Sequence, residues 1–197
     1  MASNRKKVMV PATMGKEGID KLRARDDIEV VTFPNNIAQA QLLPMLSDVA
    51  GIALGGTPFK QTELDASPAM EVVARIGVGY DAVEVPALTA RRVPLMVAGS
   101  SNSTSVAEHA FHLMMALAKR TQALDGQVRS GNWGDRFVGL PMELAGKTVL
   151  IVGFGRIGTR SARRCQGFDM HVLIYDPYVP ADKITSAGVR FASAIIR

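Results

Sequence analysis

The stretch Val149-Leu150-Ile151-Val152-Gly153-Phe154-Gly155-Arg156-Ile157-Gly158, followed by Ile174-Tyr175-Asp176-Pro177, decides the fold. A branched apolar run of this kind makes a buried parallel strand. The glycines after it have the G-x-G-x-x-G spacing of a strand-turn-helix joint that receives a dinucleotide. Gly153 permits the tight turn, Gly155 lets backbone N–H groups approach a pyrophosphate at a helix N-terminus, and Gly158 lets helix and strand pack closely. Glycine-rich turns are common, so an ordinary strand-turn-helix cluster is the competing interpretation. Against it, the next strand ends in an acid, Asp176, about 20 residues past the middle glycine, as the dinucleotide fingerprint requires. Phe154, Arg156 and Ile157 within the turn, and Pro177 after the acid, complete the set of candidate cofactor-binding residues.

Asp176 selects between cofactors. A carboxylate there accepts hydrogen bonds from both ribose hydroxyls of an adenosine, whereas a 2′-phosphate would face it as a like charge at close range. NAD is therefore expected over NADP. Arg160, Arg163 and Arg164 follow on the same helix. The latter two fall near its C-terminal end, where cations complement the macrodipole, and they are expected to be a solvated face.

The chain has 197 residues, 47% hydrophobic and 21% charged, a composition that suits a soluble globular protein with ample core. No run approaches the roughly 18 uninterrupted apolar residues of a membrane span, and Arg5-Lys6-Lys7 leads straight into a short strand rather than a signal-peptide core. The expectation is a cytoplasmic protein with no membrane partner. The single cysteine, Cys165, is expected to be a small packing residue. The formal charge of +5 comes from scattered basic residues without aromatic interleaving, which argues against nucleic acid.

Residues 1–100 alternate short apolar runs at 8–10, 28–33, 51–54, 72–76 and 95–97 with helical patterns at 15–25, 36–47 and 84–92, the signature of a doubly wound parallel α/β sheet. The character changes at Gly99-Ser100-Ser101-Asn102-Ser103-Thr104, a polar turn-rich stretch. Ser105 and Glu108 have capping-box spacing and predict a helix start. Residues 106–117 are apolar almost all round, so that helix needs burial on more than one side, between domains or between subunits. His109 and His112 stand three apart on it, but with no accompanying ligand cluster they are not taken as a metal site. Residues 122–133 read as a connector.

These motifs occur in a recognisable order: Gly77-Val78-Gly79-Tyr80-Asp81, the 99–109 segment, Gly131-Asn132-Trp133, Leu144-Ala145-Gly146-Lys147-Thr148, the glycine turn and Asp176-Pro177. In that order the chain resembles the D-isomer-specific 2-hydroxyacid dehydrogenases, the group of glycerate, phosphoglycerate and formate dehydrogenases. The resemblance implies a flavodoxin-like substrate domain, its N-terminal segment being residues 1–102, followed by the first part of a Rossmann NAD-binding domain, residues 103–197. It also implies that the backbone N–H groups of Val78 and Gly79 hold a substrate carboxylate, as an exposed amide nest can, although a plain turn closing the preceding strand accounts for the same residues. Asn102 would contact substrate through its side chain. Thr104 would contact cofactor, with a hydroxyl near a helix start as the alternative.

Two departures from the family pattern are Ala82, where Asn is common, and Glu84, where Asp is usual. The family's Arg, acid and His for hydride transfer would lie beyond the present chain, and His109, His112 and His171 do not replace them. No catalytic residue is therefore assigned, and an N-terminal fragment, inactive by itself, is expected. Two functions compete: an NAD-dependent oxidoreductase acting on the CH–OH group of a 2-hydroxy acid, and a catalytically silent NAD-binding or dimerising module. Either is expected as a homodimer through the 105–120 helix.

Overall fold

The computed structural model describes residues 5–194, and residues 1–4 and 195–197, at the outer ends of the two expected domains, lie outside the described residues. The chain divides into two compact units, with the break between Ser101 and Asn102.

In the first unit the strands β1 (Lys6–Pro11), β2 (Ile28–Phe33), β3 (Val49–Leu54), β4 (Val72–Arg75) and β5 (Leu95–Val97) alternate with helices α1 (Lys16–Arg23), α2 (Gln39–Leu42), α3 (Gln61–Asp65) and α4 (Val85–Ala90). The five strands pair in the order β2-β1-β3-β4-β5, every pair parallel. That order is the flavodoxin-like one, and it places the topological switch between β1 and β3. Every residue of β3 is buried, as expected of the central strand of a sheet covered on both faces. Met9, Phe33, Ile52, Leu54, Phe59, Leu64 and Leu88 form the middle of its core.

The expected 36–47 helix is one turn of α-helix continued by a 3₁₀ turn, Leu43–Met45, because Pro44 lies within the first turn of the latter and supplies no amide. Helix α3 is too short to carry a periodic signal. It is held instead by Glu63, whose carboxylate accepts from the Lys60 backbone N–H at 2.8 Å.

The second unit contains α5 (Ser103–Ala118), α6 (Thr121–Arg129), β6 (Thr148–Val152), α7 (Arg156–Gln166), β7 (His171–Tyr175), α8 (Ala181–Thr185) and β8 (Arg190–Phe191). Its sheet runs β6-β7-β8, all parallel, with β6 at one edge among the described residues. Read from the other side this is the 3-2-1 half of a Rossmann sheet. Cys165 is buried with Ala162, Val172 and Ile174 in the core of this unit, and burial pushes its thiol up from the usual range.

Two expectations are corrected here. Helix α5 begins at Ser103 with Asn102 at its N-cap, and the capping box at Ser105 and Glu108 does not form. Glu108 instead meets Arg164 of α7 at 2.7 Å, an opposite charge that a backbone amide cannot match. The connector expected at 122–133 is mostly helical. Its N-cap, Arg120, is left-handed at φ 51° and directs its guanidinium to the Val138 carbonyl at 2.7 Å and to that of Gly139, and Asp125 pairs with Arg129 one turn on.

Helix α5 packs on α7 along one side. Its Leu113 and Leu117 remain exposed, Leu117 at 80%. Among the described residues no helix is long and apolar enough to cross a membrane.

The buried Leu54 side chain at the end of β3 gives a direct check on the first core. Leu54→Ala is expected to cost about 2–5 kcal/mol in urea unfolding, the range of large-to-small core changes. A loss below about 1 kcal/mol would contradict the packing described.

Candidate functional site

Strand β6 ends at Val152, and the chain turns at once through Gly153, whose φ of +99° is one that side-chain-bearing residues rarely adopt. The Gly153 N–H donates to the Tyr175 carbonyl at 2.8 Å, so the turn is fixed to the end of the neighbouring strand. Gly155 is the N-cap of α7 and its backbone is extended, which any residue tolerates. What distinguishes it is space, since a Cβ built there meets nothing within 4 Å. Gly158 is the opposite case. A Cβ on it would lie inside the van der Waals surface of the Gly153 carbonyl oxygen, so helix and turn touch backbone to backbone. The three glycines thus serve three purposes: conformation at Gly153, open room at Gly155 and close packing at Gly158.

Asp176, after β7, closes the other side of this cradle. Its Oδ2 accepts from the Phe154 N–H at 2.7 Å, and its Oδ1 accepts from the N–H groups of Tyr178 at 2.8 Å and Val179 at 3.1 Å. The Phe154 amide first, then those of Tyr178 and Val179, hold the Asp176 carboxyl below the ordinary carboxylate range, so it is ionised at neutral pH. Pro177 follows it, exposed. Arg156 and Ile157 open α7, whose N-terminus carries the positive end of the helix macrodipole. An open floor at Gly155, a helix N-terminus beside it and an ionised acid at the rim make a set that fits a dinucleotide.

Thr104 lies in the first turn of α5, and its hydroxyl oxygen accepts from Arg160 Nε of α7 at 3.2 Å. Asn102 is exposed at the N-cap of α5 and makes no side-chain cap there. Arg164 contributes to the α5–α7 contact through Glu108, so the expectation of a solvated arginine face does not hold for it: α5 supplies a carboxylate that the sequence of α7 alone does not reveal. His109 and His112 stack on each other, ring centroids 6.0 Å apart.

In the first unit, Val78 and Gly79 lie in the turn after β4, half-buried and exposed respectively. Sequence reasoning missed Arg75 beside them. Its guanidinium donates to the Leu54 carbonyl at 3.2 Å and lies 3.3 Å from where a Cβ on Gly77 would sit. A cation against this turn adds to the pull of its amides on an anion. The one clue in the sequence is a charge at the end of an otherwise apolar strand, Val72-Val73-Ala74-Arg75. Glu84, one of the two departures noted above, accepts from the Gln61 N–H at 3.1 Å and so links α4 to the start of α3.

The contrast between the glycines is measurable. Gly158→Ala is expected to destabilise the protein by about 3 kcal/mol, the upper end of overpacking costs, because the obstacle is backbone. Gly155→Ala should stay within about 1 kcal/mol of the parent, as an N-cap change does. Equal losses in thermal or urea unfolding would contradict the close approach at Gly158.

Residues 111–195 match the family model described as "D-isomer specific 2-hydroxyacid dehydrogenase, NAD binding domain". The chain is 32% identical over 93% of its length to a D-3-phosphoglycerate dehydrogenase of Archaeoglobus fulgidus, and 34% identical over 86% to a glyoxylate reductase of Pyrococcus furiosus. It spans 34% and 52% of those two proteins. Among solved structures, the TT0316 protein of Thermus thermophilus superposes with a TM-score of 0.80 at 25% identity, covering 95% of this chain and 60% of that one. NAD is the cofactor of the matched domain, in keeping with the cradle just described. By sequence, residues 111–195 belong to the D-isomer specific 2-hydroxyacid dehydrogenase family as its NAD binding domain.

Proposed function

We propose that this chain is the substrate-carboxylate and cofactor-binding part of an NAD-dependent oxidoreductase that acts on the CH–OH group of a small 2-hydroxy acid, or in reverse on a 2-oxo acid. The observation that carries the proposal is the open N-terminus of α7 over Gly155, bordered by the ionised Asp176. When bound, NAD supplies the hydride acceptor. The protein's residues bind and orient. Gly153, Phe154, Gly155, Arg156, Ile157 and Gly158 form the floor for the pyrophosphate, where the helix dipole and first-turn amides favour negative charge. Asp176 and Pro177 border the adenosine ribose, and Thr104 stands at the head of α5 on the same unit. Val78 and Gly79 offer amides to the substrate carboxylate, with Arg75 behind them, and Asn102 supplies a side-chain amide for the substrate. Residues 1–102 are taken as the substrate domain and 103–197 as the NAD-binding domain.

A homodimer through α5 accompanies this function. Leu113 and Leu117 on α5, with Trp133 and Phe137 beyond α6, are exposed apolar side chains on one unit, and a second copy presents the same side chains, as a two-fold interface requires.

Two measurements test these points. In calorimetric titration the protein is expected to bind NAD at least about tenfold more tightly than NADP, because a like charge beside the 2′-phosphate costs more than 1.4 kcal/mol at an effective dielectric near 20. Gly155→Val should abolish binding of both while leaving the fold intact by circular dichroism. Equal affinity for the two cofactors in the parent protein would defeat the role given to Asp176. Light scattering should give the mass of a dimer, with Leu117→Glu shifting it toward monomer, and a strictly monomeric parent protein would refute the α5 interface.

A further inference from the structure

Glu63 is 2% exposed, yet among the described residues no cationic side chain pairs with it. Buried carboxylates ordinarily have a positive partner, because desolvation penalises an isolated charge heavily. Here both bonds come from neutral donors: the Lys60 backbone N–H reaches Oε2 at 2.8 Å and Gln39 Nε2 reaches Oε1 at 2.5 Å. A carboxylate has about four acceptor positions, so one is left on each oxygen.

This side chain lines a cavity of about 390 Å³, within the range of roughly 300–1,000 Å³ common for small-molecule sites. The cavity lies within the first unit, between the loops that follow β2 and β3, on either side of β1. Crevices at the carboxyl ends of strands beside a topological switch are where parallel α/β sheets bind ligands. Its walls are fixed. The Thr57 hydroxyl donates to the Asn35 carbonyl at 3.3 Å and joins the two loops. The Phe59 N–H donates to the Ala82 carbonyl at 3.0 Å, and the Phe59 carbonyl accepts from the Glu84 N–H at 2.9 Å. Lys60 also lines the cavity, and its exposed ammonium has no acid partner among the described residues. Ile37, Leu42 and Pro58 supply an apolar wall.

We propose that this cavity binds a small zwitterion with an aliphatic body, an α-amino acid such as leucine. The ligand ammonium meets Glu63, its carboxylate meets Lys60, and its side chain lies against Ile37, Leu42 and Pro58. Lys60 is the N-cap of α3 and Glu63 lies in the first turn, so the two charges stand close enough for groups carried on one carbon. The Thr57 oxygen, its proton engaged by Asn35, is a further acceptor for the ammonium. A metal ion is a poorer match, since no group of three His, Cys, Asp or Glu side chains that could hold one occurs among the described residues. A simple amine would leave Lys60 unused, and a fatty acid would leave Glu63 without a counter-charge. The cavity is separate from the glycine turn and Asp176, so the proposal does not rest on the cofactor reading.

The test is a titration of the protein followed by amide NMR. Leucine is compared with isocaproate, which lacks the ammonium, and with isoamylamine, which lacks the carboxylate. Saturable shifts are expected at the Gln39, Thr57 and Lys60 amides, with both analogues bound at least about tenfold more weakly, as the loss of a charged hydrogen-bonding group implies. Lys60→Gln should weaken leucine about tenfold and leave isoamylamine unchanged. Glu63 also holds α3, so its part is read from isocaproate rather than from a substitution. An analogue that matches leucine, or shifts confined to other parts of the chain, would overturn the proposal. So would the absence of saturable shifts with leucine, the result expected if Lys60 itself turns in to pair with Glu63. None of these outcomes bears on NAD binding.

Discussion

The Gly153 carbonyl occupies the space where a side chain on Gly158 would begin, and everything around the cradle follows from that contact. It sets the distance between the end of β6 and the first turn of α7, and hence where the N-terminus of that helix lies. The positive φ of Gly153 turns its carbonyl toward the helix, and the bond from its N–H to Tyr175 fixes the turn against β7. Asp176 then ties Phe154 into the same corner. A contact between two backbones has no rotamers to adjust, so a wrong residue at either glycine is answered by moving the helix rather than a side chain.

Much of this corner is legible in the sequence because backbone requirements leave few residue choices. Gly153 and Gly158 are imposed by a dihedral angle and a steric limit, and the acid at the end of the following strand is fixed by its register with β6, Val152 opposite Tyr175. The strands are legible for a similar reason: a parallel sheet covered on both faces leaves apolar runs such as 51–54, which the structure extends back to Val49. What escapes the sequence depends on partners distant along the chain. Glu108 has the spacing of a capping box and is drawn instead to Arg164, 56 residues on. Arg75 stands out only once the turn at Gly77 brings the backbone against it. The three amides on Asp176 are equally invisible, since a motif records which residue is present and not which of its lone pairs are taken.

The two units reach their stability by different routes. The first encloses a central strand buried at every position, with a large contiguous core. The second has a three-stranded sheet whose core combines small side chains, Ala162 and Cys165, with larger ones such as Met170, Ile174 and Ile184, and α5 and α7 pack together with an ion pair and a hydrogen bond along their flank. That difference suits their tasks. In the proposed function, a floor that admits a flat, charged ligand is built from glycine and small residues, whereas the proposed carboxylate nest needs a rigid turn on a well-packed strand.

The segment between α5 and β6 leaves and returns at nearly one point. Met142 donates to the Ala118 carbonyl at 2.8 Å, while Arg120 reaches across to Val138 and Gly139. The residues between are thus a closed excursion, pinned at its neck and carrying the exposed Trp133, Phe137 and Leu140. Closing such a loop becomes only slightly more costly as it lengthens, by about 0.6 kcal/mol per doubling. Its interior can therefore be lengthened, shortened or rewritten with little effect on the nucleotide cradle, provided the neck is kept. Apart from the Gly131-Asn132-Trp133 motif and Phe137, it is the natural place in this unit to graft a foreign sequence.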